Sequence, residues 1–159
     1  MDGTLIDSTP GVLKAWDTFG AEYKLSNPAA VAHATLGRRL YDTLKEYCGI
    51  VAEDLIQAEI DRFENEVILG GPTPLPGAID LVAKLMSNPS SNSRWTIVTS
   101  ASDKYAPRAL ERSGIPVPLA GIITSNDVSE GKPHPAPYLA GAVLCAVDPK
   151  RCMCGFYRE

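Results

Sequence analysis

The sequence lacks the marks of several large protein classes. It holds four cysteines, Cys48, Cys145, Cys152 and Cys154, among 159 residues. That is too sparse for a disulfide scaffold. Cys152-Met153-Cys154 has no second Cys/His pair at zinc spacing. The cysteines therefore read as reduced thiols, and the expected setting is cytoplasmic. No apolar run approaches the roughly 18–20 residues that cross a bilayer. No basic segment followed by an apolar run marks a signal peptide. A dense Lys/Arg cluster is missing too, and the formal net charge is −4. This argues against a nucleic-acid groove and against a polybasic membrane patch. There is no internal repeat, and oligomeric state leaves no mark.

What is present is enough for a core, with 45% hydrophobic residues in a chain of single-domain length. Residues 9–71 read as all-helical. Ser8 or Thr9 can cap a first helix with Pro10 in its opening turn. Val12, Leu13, Trp16, Phe19 and Tyr23 then recur at helical spacing. Leu40, Leu44 and Tyr47 form a second stripe, stopped by Gly49. Leu55, Ile56, Ile60, Phe63 and Val67 form a third, so three helices and no strand are expected there. After the Pro-rich turn Gly71 to Gly77 the character changes. A helix is expected around Ile79–Met86, and Trp95-Thr96-Ile97-Val98-Thr99 reads as a buried strand. A helix near Lys104–Arg112, a strand at Gly121–Thr124 and a helix at Tyr138–Val147 follow. Such alternation predicts a parallel sheet flanked by helices, with ligands beyond the carboxyl ends of its strands.

Three polar stations fall at such places. Asp2-Gly3-Thr4 joins a carboxylate, a flexible turn and a hydroxyl, although Asp-Gly alone is a common turn. Thr99-Ser100-Ala101-Ser102 ends the buried strand and opens a helix, where hydroxyls and N–H groups suit a phosphate. On local sequence alone a plain N-cap by Ser102 or Asp103 is the commoner reading. Gly131-Lys132-Pro133-His134-Pro135 holds a lysine among prolines. It is suited to neutralising a phosphate, although most lysines are simply solvated.

In this order the stations resemble one family. Asp2-Gly3-Thr4-Leu5-Ile6-Asp7-Ser8 resembles the first motif of the haloacid dehalogenase superfamily. Val98-Thr99-Ser100-Ala101-Ser102 resembles the second, and Gly131-Lys132-Pro133-His134-Pro135 the third. The wording is most similar to fungal-type phosphatases of glycerol phosphate and 2-deoxyglucose 6-phosphate. It also resembles the β-phosphoglucomutase branch.

The resemblance implies an α/β fold: a Rossmann-like parallel core formed by 1–8 and 72–159, its first strand missing, with a small helical cap inserted at 9–71. It implies a small phosphorylated sugar or polyol as substrate and Mg²⁺ as cofactor. Asp2 matches the family's acid–base aspartate, whose carbonyl also helps hold the metal. Ser100 and the N–H groups near Ala101 are expected on the phosphoryl oxygens. Lys132 is expected to stabilise phosphoryl charge. Arg39 resembles a cap position that reaches the substrate, against the plainer reading of a solvated arginine.

The family's nucleophilic aspartate stands two positions before the acid–base aspartate, hence just ahead of Met1, and its last acidic pair lies beyond Cys152. Glu159 has the wrong context to replace that pair. The 159 residues are therefore expected to be truncated at both ends, less stable for want of the first strand, and inactive by the covalent route. Two alternatives are a non-catalytic truncated fragment or phosphate-binding remnant, and a β-phosphoglucomutase-like phosphomutase. A flavodoxin-like binding domain would share the sheet but not explain the helices after the first motif.

Overall fold

The computed structural model describes residues 1–155, so Glu159 lies outside the described residues. Four helices follow the opening turn: α1 (Thr9–Tyr23), α2 (Pro28–Ala34), α3 (Leu40–Cys48) and α4 (Glu53–Leu69). The sequence predicted three of them and missed α2. The Asn27 side chain accepts from the Ala30 N–H at 3.0 Å, and Pro28 fills the first turn. That is an N-terminal signal, but the run behind it is mostly alanine and too short to show a period. The cap expected of Ser8 is also absent. Ser8 occupies the N-cap position of α1 without a capping bond, because its hydroxyl is turned to Asp2.

The helical unit has an aromatic core. Trp16 and Phe19 of α1 meet Phe63 of α4 edge-to-face, at 5.1 and 5.2 Å between ring centroids. Ile56, Ile60 and Val67 bury the same face of α4. The two helices nearly touch at one end, where a Cβ added to Gly11 would stand 2.6 Å from the Val67 carbonyl oxygen. Only a residue without a side chain permits that approach.

The chain enters and leaves this unit through one short ribbon. β1 (Ile6–Asp7) pairs antiparallel with β2 (Thr73–Pro74), in the register Ile6↔Pro74 and Asp7↔Thr73. Beyond it lie α5 (Ala78–Ser87), β3 (Ile97–Val98), α6 (Tyr105–Arg112), β4 (Ile122–Ile123) and α7 (Ala136–Leu144). β3 and β4 are parallel, with Ile97↔Ile122 and Val98↔Ile123 paired. This is the alternating α/β order that the sequence predicted. The ladder is shorter than the apolar run that suggested it, and α7 begins and ends earlier than expected. Its Gly141 lies close against Val98 and Thr96, seating the helix on the sheet. No described helix is long and apolar enough to cross a membrane.

Candidate functional site

Three loops carry the candidate side chains. At the front, Asp2 sits in a tight turn whose Gly3 has φ +66°. The N–H groups of Thr4 and Leu5 both donate to the Met1 carbonyl, at 3.1 and 2.8 Å. Asp2 Oδ1 accepts from the Ser8 hydroxyl at 2.7 Å and from the Tyr105 hydroxyl at 2.9 Å. The carboxylate is thus gripped from its own loop and from the first residue of α6. Burial raises the Tyr105 pKa, and the Asp2 charge beside it raises it further. The phenol therefore stays protonated and remains a donor.

The second loop follows β3. The Ser100 hydroxyl donates to the Gly37 carbonyl at 2.7 Å, bridging the core to the turn between α2 and α3. The Ala101 N–H donates to Thr99 Oγ1 at 3.2 Å. Both groups expected on a phosphate therefore have internal partners, which an incoming anion must replace. Tyr105 N–H donates to Ser102 Oγ at 3.1 Å, although the N-cap position of α6 falls to Lys104 and not to Ser102 or Asp103.

The third loop follows β4. Lys132 Nζ donates to the Val98 carbonyl at 2.8 Å, placing the ammonium at the carboxyl end of β3. Burial lowers its pKa, and negative charge at Cys154 and Asp2 opposes that effect. Arg39, just before α3, chelates Asp42 at 2.8 and 3.2 Å and donates to the Ser129 carbonyl at 2.9 Å. It lies over Gly131, where an added Cβ would sit 2.5 Å from its Nε. Arg39 is therefore a brace between the helical unit and the lysine loop, and not a freely solvated residue.

Between these parts lies a cavity of about 290 Å³. Arg39, Tyr41, Gln57 and Ile60 line it from the helical unit, and Ser102, Ser125, Asn126 and Ser129 from the core. Its walls are hydroxyls, amides and one guanidinium, with the apolar Ile60 among them. Asp2, Ser100 and Lys132 are not among them, so the sequence-derived polar groups and this cavity are neighbours and do not form one pocket.

Sequence reasoning missed Glu64. Its side chain is 7% exposed, although it is a carboxylate. It accepts from the Ser102 N–H at 2.9 Å and, more closely, from the Ser102 hydroxyl. Its position was legible, because it falls four residues after Ile60 on the buried stripe of α4. Burial raises its pKa to about 7, the bonds from Ser102 oppose this, and the Asp2 and Asp61 charges add to it.

A folded-state pKa above the ordinary value means that folding favours the protonated carboxyl. The associated stability is fully present below about pH 4.5 and is lost as the pH rises through about 7. At about 1.4 kcal/mol per unit, the loss approaches about 3 kcal/mol. Urea denaturation of the protein and of Glu64→Gln between pH 4.5 and 8 should show that difference, with the glutamine variant the flatter. Parallel pH profiles would contradict it.

Mg²⁺ takes oxygen ligands in a near-octahedral shell. Among the described residues no three His, Cys, Asp or Glu side chains cluster to hold a metal. Asp127, an acid of the third loop, is engaged by the Thr124 N–H and hydroxyl at 2.8 and 2.7 Å. Asp2 is left as the candidate ligand through its backbone carbonyl, its carboxylate being held by Ser8 and Tyr105. The described residues do not by themselves fit the ion.

A parallel strand pair with polar loops at its carboxyl ends, and a helical insertion after the first turn, define a Rossmann-like α/β protein. The chain belongs to the haloacid dehalogenase-like hydrolases, whose family description matches residues 1–154. It is 34% identical to hexitol phosphatase A of Escherichia coli, over 96% of this chain and 69% of that protein. It is 32% identical to glycerol-1-phosphate phosphohydrolase 2 of Saccharomyces cerevisiae, over 89% of this chain and 55% of the yeast protein. The chain thus spans little more than half of the yeast enzyme's length. Among solved structures, a hydrolase from Pseudomonas syringae superposes with a TM-score of 0.75 at 25% identity, covering 92% of this chain and 68% of that one.

Proposed function

We propose that the protein is a phosphatase of small sugar or polyol phosphates that works through an aspartyl-phosphate. The observation that supports this reading is the end of β3: Lys132 Nζ donates to its last carbonyl, Ser100 stands in the loop that follows, and Tyr105 of the next helix holds the Asp2 carboxylate. Both curated relatives described above are named for hydrolysis of such esters, which favours a phosphatase over a phosphomutase. The helical unit over the site, residues 9–71, is the cap in this reading, and 1–8 with 72–159 the core.

In the proposed mechanism a carboxylate attacks phosphorus and forms the aspartyl-phosphate. As the P–O bond to the alcohol breaks, protonated Asp2 gives its proton to the leaving oxygen. Asp2 then takes a proton from the water that attacks the aspartyl-phosphate, and free phosphate departs. Lys132 balances the charge on the phosphoryl oxygens, and Ser100 exchanges its bond to Gly37 for one to the substrate. Mg²⁺ dependence and a cytoplasmic setting belong to the same proposal.

The test is a panel of phosphate esters offered to the full-length protein with Mg²⁺. Glycerol 1-phosphate and hexitol phosphates should be hydrolysed, and EDTA should suppress turnover. Absence of turnover on every ester of the panel, or turnover undiminished by EDTA, would refute the reading.

A further inference from the structure

Glu64 belongs to the helical insertion, yet its partners lie in the core. Its carboxylate takes both the N–H and the hydroxyl of Ser102, at the end of the loop that carries Ser100 and Ala101. The contact does not stand alone on that side. Lys104 pairs with Asp61 at 2.6 Å, and Arg108 donates to Asn65 at 2.7 Å, so α4 and the start of α6 are joined on either side of it. These flanking contacts are exposed, whereas Glu64–Ser102 is buried. A buried carboxylate without partners would be costly, so the position is tolerated because Ser102 satisfies it.

Ser102 leads onward. Its oxygen caps the Tyr105 N–H at 3.1 Å, and the Tyr105 hydroxyl holds Asp2 Oδ1 at 2.9 Å. One unbroken path thus runs from α4 through Ser102 and the first turn of α6 to the Asp2 carboxylate.

We propose that Glu64 is a positioning residue, whose clamp on Ser102 fixes the Ser100–Ser102 loop and, through Tyr105, the direction of the Asp2 carboxylate. The role rests on the phosphatase reading of Asp2 and Ser100. Glu64 touches no reacting atom in it. Its effect belongs to geometry at the moment of proton and phosphoryl transfer, where small misplacements are felt in kcat. The Glu64–Ser102 contact itself is independent of that reading.

The experiment compares Glu64→Ala, Glu64→Gln and Asn65→Ala in the full-length protein. Asn65→Ala removes a neighbouring contact between the same helices and leaves the Ser102 path intact. For glycerol 1-phosphate, Glu64→Ala is expected to lower kcat by about 10–100-fold with KM changed by less than about threefold. Glutamine keeps an acceptor and should recover most of the loss. Asn65→Ala should stay within about twofold of the parent.

Amide hydrogen exchange is read alongside, and Ser102 should exchange at least about tenfold faster in Glu64→Ala while the aromatic core is unchanged. A kcat within twofold of the parent, or a loss matched by Asn65→Ala, overturns the proposal. If Glu64→Ala does not fold, the same comparison is made with Glu64→Leu, which fills the site without an acceptor. A parent protein that hydrolyses no phosphate ester refutes the phosphatase reading instead. In that case Ser102 exchange decides the clamp alone, and unchanged exchange overturns it.

Discussion

Asp2→Asn in the full-length protein is expected to lower kcat for glycerol 1-phosphate by about 10²–10⁴-fold, with little change in KM. Asparagine keeps an oxygen where Ser8 and Tyr105 now donate, so the turn should hold its shape. What is lost is the proton. An alkoxide leaves poorly without protonation, and the second step needs a base for water. The loss should be smaller for p-nitrophenyl phosphate, because a nitrophenolate leaves without help and only the second step suffers. A uniform loss across leaving groups would place the defect in folding or binding. Undiminished turnover of glycerol 1-phosphate would remove Asp2 from the chemistry.

Phe19→Ala is expected to destabilise the fold by about 3–5 kcal/mol in urea denaturation. Phe19 is 0% exposed and sits among Trp16, Phe63 and Tyr23, with its ring centroid 5.2–6.4 Å from theirs. Its ring also lies 4.1 Å beneath the Arg62 guanidinium. Arg62 is held from above by Glu22 and Glu59, each at 2.6 Å. Truncation opens a cavity that three rigid rings cannot close, and it strips the cation of its aromatic face. A loss below about 1 kcal/mol would mean that the helical unit is held together elsewhere.

Periodicity made much of this legible. Of the predicted stripe Leu55, Ile56, Ile60, Phe63 and Val67, the last four are buried as their spacing demands, whereas Leu55, counted on it, lies one residue off that face and is 45% exposed. The parallel pair was legible because β-branched residues sit at Ile97-Val98 and Ile122-Ile123, between turn signals. β2 was not legible. Thr73-Pro74 gains its strand character from a partner more than sixty residues earlier, and a proline argues locally against it.

The site divides in the same way. Lys132 is set among prolines that fix its backbone, a feature written in sequence. The internal partners of Ser100 and Ala101 depend on how the turn at Gly37 and the loop itself fold, and no local pattern carries that. Glu64 hid behind its charge, since a glutamate on a helix reads as solvated until its place on the apolar stripe is counted.

The ribbon of β1 and β2 has a consequence for ancestry. Because the helical unit departs at Ile6–Asp7 and returns at Thr73–Pro74, its two ends lie side by side. Such a segment is a cassette: evolution can lengthen it, shorten it or exchange it without re-threading the scaffold that bears Asp2, Ser100 and Lys132. Glu64 and Arg39 stitch this segment to the scaffold through Ser102 and Ser129, so any replacement must supply such contacts again.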